Sequence, residues 1–293
     1  MKQRKTQIKP LDIIVLLLLI GAGVYVFYRI KIGLNYKWHW SAMPQYLFRY
    51  DEESGKWVAN FLILGLFTTL RLSIWGTILA TFFGTVMGLC RVSPSLFLRL
   101  VSRGYVEFIR NSPPLVLIFL FYFFIGDQII PALGVDAFIR ARSESTQAIL
   151  SFLFAPPELF SSFFSALLTV SLFEGAYITE IVRAGIQSIE KGQWEASRAL
   201  GLSRWQQMRY VILPQAVQRI LPPLAGQFIS LIKDSSIVSV ISIQELTFQA
   251  TELMAATYYT IEIWTMVAGL YLILTLSCSL LAERLEIRMA RSR

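Results

Sequence analysis

Apolar residues along this chain gather into six long runs, separated by polar, charged or proline-bearing stretches. The runs cover residues 11–28, 61–90, 113–130, 160–186, 213–232 and 263–282. Each approaches or exceeds the ~20 residues that carry an α-helix across a ~30 Å hydrocarbon core. The pattern therefore predicts an all-α polytopic membrane protein with six transmembrane helices. The first run follows Lys2, Arg4, Lys5 and Lys9. It is longer than the ~7–15-residue core of a secretion signal and no small-residue cleavage pattern follows, so it reads as an uncleaved anchor.

Between the first two runs, residues 29–60 carry Tyr36, Trp38, Trp40, Tyr46, Tyr50 and Trp57 among charges. Amphipathic rings favour the membrane–water boundary, and this segment is expected to lie on the membrane surface, with the lone histidine, His39, as a surface residue. Residues 127–159, broken by Pro131, Pro156 and Pro157, read as a loop with one short helix.

Composition agrees: 55% of the 293 residues are hydrophobic and 16% charged, against about 25% charged in soluble domains. Disordered chains, fibres and disulfide scaffolds are excluded. Cys90 and Cys278 sit in separate apolar runs and are expected to remain unpaired. The net charge of +8 is unevenly placed. If the N-terminus is cytoplasmic, it shares that side with residues 91–104, residues 187–210 and the tail after Ala282, together holding 15 Lys and Arg against 8 on the opposite side. That bias orients both termini to the cytoplasm and makes the excess a topology signal rather than a nucleic-acid surface.

Catalytic patterns are missing. The chain has one His, no H-E-x-x-H, no G-x-S-x-G and no phosphate-binding G-x-x-x-x-G-K-[ST], so it is read as no enzyme, with any ATP hydrolysed by another chain. Charges at membrane depth are expensive and mark paths or pairs. Glu180 and Arg183 stand three apart as a helix-face pair. Arg71 is expected to snorkel from the second span. Arg219 falls in the fifth span, and Lys233 with Asp234 at its end. Glu174 has Val170, Ser171, Tyr177 and Ile178 as helix neighbours, so it needs a partner elsewhere. Two readings stay open: a ligand for a cationic group, or a tie to Arg219 or to a polar group of another helix. Pro222 and Pro223 are expected to break the fifth helix, and Asn111 and Ser112 to cap the helix entered by Pro113 and Pro114.

Residues 188–214 read SIEKGQWEASRALGLSRWQQMRYVILP. Ala196, Ser197 and Ala199 give a short helix a small-residue surface, Gly201 stands at its C-terminal end, and Ser203 with Gln206 matches a capping box that starts the fifth helix. A rigid helix joined to two spans suits a partner's groove; the alternative is an amphipathic helix lying on lipid.

Glu195, Ala196 and Ser197, Gly201 four positions on, then Val211, Ile212, Leu213 and Pro214 resemble the E-A-A-x3-G-x9-I-x-L-P motif of ABC importer permeases, with Ser197 and Val211 departing from it. Segments at 105–116, 175–189 and 231–241 resemble the polar amino-acid subfamily. The resemblance implies a type I ABC importer transmembrane domain over residues 61–293, preceded by an anchor and aromatic loop at 1–60. Its coupling helix lies at about 189–202, with Glu195, Ala196, Ser197, Gly201, Leu213 and Pro214 contacting the ATPase. It further implies an ATP-binding cassette dimer carrying ATP and Mg, a second permease subunit, an extracytoplasmic binding protein and no cofactor of its own. Glu174, Lys233 and Asp234 are the candidates for the substrate path. The competing classes are an ion-coupled carrier or channel, and a membrane scaffold; neither needs the cytoplasmic motif.

Overall fold

The computed structural model describes residues 10–33 and 36–291. Lys2, Arg4, Lys5, Lys9 and Arg293, part of the charge count above, lie outside them. Among the described residues six helical segments are long and apolar enough to cross a membrane: Pro10–Arg29, Phe61–Val92, Pro114–Leu133, Pro157–Gln187, Arg204–Ile241 and Thr260–Arg284. The chain divides into two compact units between Trp40 and Ser41. The first contains α1 (Pro10–Gly33), whose large apolar side chains from Leu11 to Tyr28 are exposed, and a stacked pair, Trp38 and Trp40, with centroids 5.9 Å apart.

The second unit opens with α2 (Pro44–Leu47) and an antiparallel hairpin, β1 (Phe48–Asp51) with β2 (Lys56–Ala59). This hairpin was not foreseen in the aromatic loop. Aromatics alternate with charges in β1, and the turn closes through Gly55 at φ +64° and a Ser54 hydroxyl that donates to Asp51 at 2.6 Å. Met43 is buried against Leu62, Leu246 and Ile263, so residues 41–60 belong to the membrane body.

The spans are α3 (Phe61–Val92), α5 (Pro114–Phe124) continued by a π-helical turn into α6 (Ile130–Leu133), α9 (Phe160–Gln187), α12 (Leu213–Asp234) and α14 (Thr260–Arg291). Shorter helices connect them: α4 (Leu96–Asn111), α7 (Val135–Arg140), α8 (Glu144–Leu153), α10 (Lys191–Ala199), α11 (Arg204–Gln206) and α13 (Leu246–Thr257). The stretch expected as a loop with one short helix thus extends the third span and adds α7 and α8. Asn111 and Ser112 end α4, and Pro114 opens α5 with no side-chain cap.

The core is the α3–α9 pair. Gly76, Ala80, Gly84 and Gly88 recur every four residues on one face of α3, the spacing that lets membrane helices approach closely. A methyl group added at Gly84 would stand 2.6 Å from Ile178 Cβ, and one at Gly88 2.6 Å from Val182 Cγ1. At the far end Gly65 admits α13, whose N-cap Glu245 is buried. Its carboxylate accepts from Phe248 N–H at 2.8 Å, Tyr271 OH at 2.9 Å and Thr69 OH at 3.3 Å.

Arg71 donates to the Phe154 carbonyl at 3.4 Å, at the end of α8. One expectation is corrected. Pro222 and Pro223 do not break the fifth helix; α12 runs through both. Neighbouring helices can support the two main-chain bonds that the prolines omit.

Candidate translocation and coupling sites

α9 is buried along most of its length, which holds Glu174 in place: the residue is 1% exposed. Together with α12 and the start of α5 it bounds a cavity of about 550 Å³, lined by Glu174, Tyr177, Gln227, Ser230 and Asp234 among others. Gln227 donates its side-chain N–H to Glu174 at 2.5 Å. Arg219, weighed as the structural partner of Glu174, instead donates to the Ser188 carbonyl near α10. The tie is therefore to a neutral amide, and among the described residues Glu174 forms no ion pair.

Two of the three path candidates meet here. Glu174 and Asp234 line one cavity, Lys233 does not, and no Lys or Arg is among the lining residues. Arg110 reaches its edge indirectly, with its guanidinium 5.9 Å from the Tyr177 ring centre. The recess thus holds two carboxyl groups, and its volume lies in the range of small-molecule sites. The residues not anticipated were Gln227 and Ser230. They form with Asp234 a polar stripe at helical spacing on α12, a signal present in the sequence.

The second site is built from α10. Its end is a complete left-handed cap: the Gly201 N–H donates to the Arg198 carbonyl at 2.9 Å, the Leu202 N–H to the Ser197 carbonyl at 3.2 Å, and Gly201 has φ +75°. Two residues later Ser203 and Gln206 form the reciprocal capping box, followed by a π-helical stretch, Gln207–Ile212, and Pro214 in the first turn of α12. Trp194 packs against the cluster of Ile186, Ile189, Ile212 and Ala216, and Gln215 donates to Gln193 at 3.2 Å. α10 is thereby fastened to the ends of both α9 and α12. Glu195, Ala196, Ala199, Leu200 and Gly201 remain exposed. Ser197 does not belong to that surface: it is 2% exposed and its hydroxyl donates to the Trp194 carbonyl at 3.0 Å. Leu213 is half-buried beneath the helix and Pro214 exposed. Glu180 and Arg183 pair as expected, at 2.7 Å, and Arg91 joins them at 3.5 Å.

Both sites fall within residues 80–291, which match the family described as binding-protein-dependent transport system inner membrane component. The chain is 39% identical over 228 residues to the glutamine transport system permease protein GlnP of Escherichia coli strain K12, spanning 78% of this chain and 92% of that one. It is 32% identical to the probable glutamine ABC transporter permease protein GlnM of Bacillus subtilis strain 168, over 78% and 93% of the two chains. A crystal structure of an amino acid ABC transporter with histidines superposes with TM-score 0.61 at 32% identity, over 78% of this chain and 94% of that one. An inward-facing MetNI methionine ABC transporter shares the fold, with TM-score 0.59 at 20% identity over 78% and 96%. This chain is a member of the binding-protein-dependent transport system inner membrane component family.

Proposed function

We propose that this protein is the membrane subunit of an ATP-driven importer for a polar amino acid, received from an extracytoplasmic binding protein and passed to the cytoplasm. ATP and Mg are bound by a partner ATPase dimer docked on α10, and a second permease subunit completes the pathway. The observation that carries this reading is that one pair of helices frames both sites. α9 bears Glu174 and leads into α10; α12 begins beyond α10 and ends at Asp234. From Glu174 to the end of α9 at Gln187 is about 20 Å at 1.5 Å per residue, so a displacement of α10 by the ATPase moves both cavity walls as levers.

Within the cavity Glu174 and Asp234 meet the substrate ammonium. On the surface of α10, Glu195, Ala196 and Gly201 contact the ATPase, while Ser197 and Leu213 hold the helix in place from behind and Pro214 starts α12. The charge bias supports a bacterial inner membrane protein with α10 and both termini in the cytoplasm. The names of the relatives, two of them glutamine permeases, favour a polar amino acid as cargo.

The test is uptake of labelled polar amino acids into proteoliposomes holding this chain with its ATPase and binding protein. Uptake requiring ATP on the α10 side and the binding protein on the other is the expected result. Transport by this chain alone along an ion gradient would overturn the reading in favour of a secondary carrier.

A further inference from the structure

Beside α10, where α3 and α9 end, lies a second concavity of about 780 Å³. Five cationic side chains line it: Arg91, Arg99, Lys191, Arg198 and Arg204; no carboxylate does. Among the described residues only Arg91 of these five forms an ion pair, with Glu180 at 3.5 Å. Arg99 is fixed at the rim by donating to the Ser93 and Pro94 carbonyls at 3.0 and 2.9 Å. The rest of the wall is largely apolar, including Leu89, Ile186, Met208 and the indoles of Trp194 and Trp205. Next to it α4 exposes Leu96, Phe97 and Leu100.

The position adds a constraint that charge alone does not. Leu89 and Ile186 belong to the last turns of two membrane spans, so the recess opens at the level where hydrocarbon gives way to headgroups. A soluble anion would use the cations and leave the apolar wall wet. An amphiphile satisfies both, its phosphate held by guanidinium forks and its acyl chain lying on Leu89, Met208 and the indoles. Basic recesses at the ends of membrane helices suit anionic lipid headgroups for this reason.

We propose that this cavity binds the phosphate-bearing headgroup of an anionic glycerophospholipid from the leaflet on the α10 side. Lys191, Trp194 and Arg198 come from α10 itself, so the lipid ties the coupling segment to the bilayer, and the anionic content of that leaflet regulates how readily α10 moves.

Trp194 and Trp205 provide the readout. The assembled importer is placed in phosphatidylcholine nanodiscs, and tryptophan quenching by a minor fraction of brominated phosphatidylglycerol is compared with quenching by brominated phosphatidylcholine. The native protein is expected to favour phosphatidylglycerol, and Trp205→Phe to remove part of the selective quenching. The Lys191→Gln/Arg204→Gln double variant should lose selectivity roughly tenfold, while Lys191→Arg/Arg204→Lys keeps it and so controls for folding. Equal quenching by the two lipids in the native protein, or unchanged selectivity in the double glutamine variant, would overturn the proposal. So would abolition of selective quenching by millimolar pyrophosphate at constant ionic strength, which would assign the site to a water-borne phosphate.

Discussion

The Gln227 amide on α12 donates a hydrogen bond of 2.5 Å to the Glu174 carboxylate on α9, and it closes one wall of the acidic cavity without neutralising it. Glu174→Gln keeps the shape and an amide contact but removes the charge. Losing a hydrogen bond to a charged group costs about 1.5–3 kcal/mol, so uptake should fall roughly 10- to 100-fold, or the set of competing amino acids should change, with normal assembly. Unaltered kinetics with the same competitors would exclude a ligand role for Glu174 and leave Asp234 as the remaining carboxylate of the cavity.

A bulkier residue at Gly84 should separate α3 from α9. Because even a Cβ would stand 2.6 Å from Ile178, Gly84→Val is an overpacking change of about 1–3 kcal/mol or more and should lower the thermal midpoint of the purified protein. Gly226→Ala, where nothing lies within 4 Å, should leave it unmoved. Equal midpoints for the two variants would contradict the close α3–α9 contact.

Burial pushes the Glu245 carboxyl up to about 7, against hydrogen bonds from Thr247, Phe248, Tyr271 and Thr69 that pull it down. The folded protein therefore holds this proton more tightly than the unfolded chain, so stability is greatest below about pH 4.5 as far as this group is concerned. It is lost as pH rises through about 7, by an amount on the order of 3 kcal/mol. Glu245→Gln should flatten the decline in thermal midpoint between pH 5 and pH 8, a range set by that shift. A decline as steep in the variant as in the native protein would show that another group is responsible.

Topology is open to labelling. With Cys90 and Cys278 replaced, a cysteine at Ser143, the residue before α8, should react with a membrane-impermeant maleimide from outside, and one at Arg198 on α10 only after permeabilisation. Labelling of the Ser143→Cys site solely from the α10 side would reverse the orientation.

Spans were legible because apolar runs near 20 residues leave few alternatives. The end of α10 was legible because Gly201, Ser203 and Gln206 act through their own backbone neighbourhood. What depended on a partner surface was not. The four-residue spacing of Gly76, Ala80, Gly84 and Gly88 is visible along the chain, but only Ile178 and Val182 show what it admits. Arg219 invited pairing with a carboxylate, and its partner is a main-chain carbonyl. Pro222 and Pro223 read as a break because local rules forbid their hydrogen bonds, whereas packing in a bundle tolerates the omission. Ser197 occupies a motif position in sequence, yet its side of the helix faces inward.

Transmission of ATPase movement through α10 is most exposed to test at Gly201. Valine there must adopt φ near +75°, at a cost of about 1–2 kcal/mol, or reshape the end of the helix; Glu195→Lys alters the exposed face without touching the cap. The measurement is substrate-stimulated ATP hydrolysis and amino-acid uptake in the same proteoliposomes, for assembled complexes carrying either change. Loss of both stimulation and uptake, with insertion and assembly intact, is the predicted result; native stimulation and uptake in either variant would contradict it.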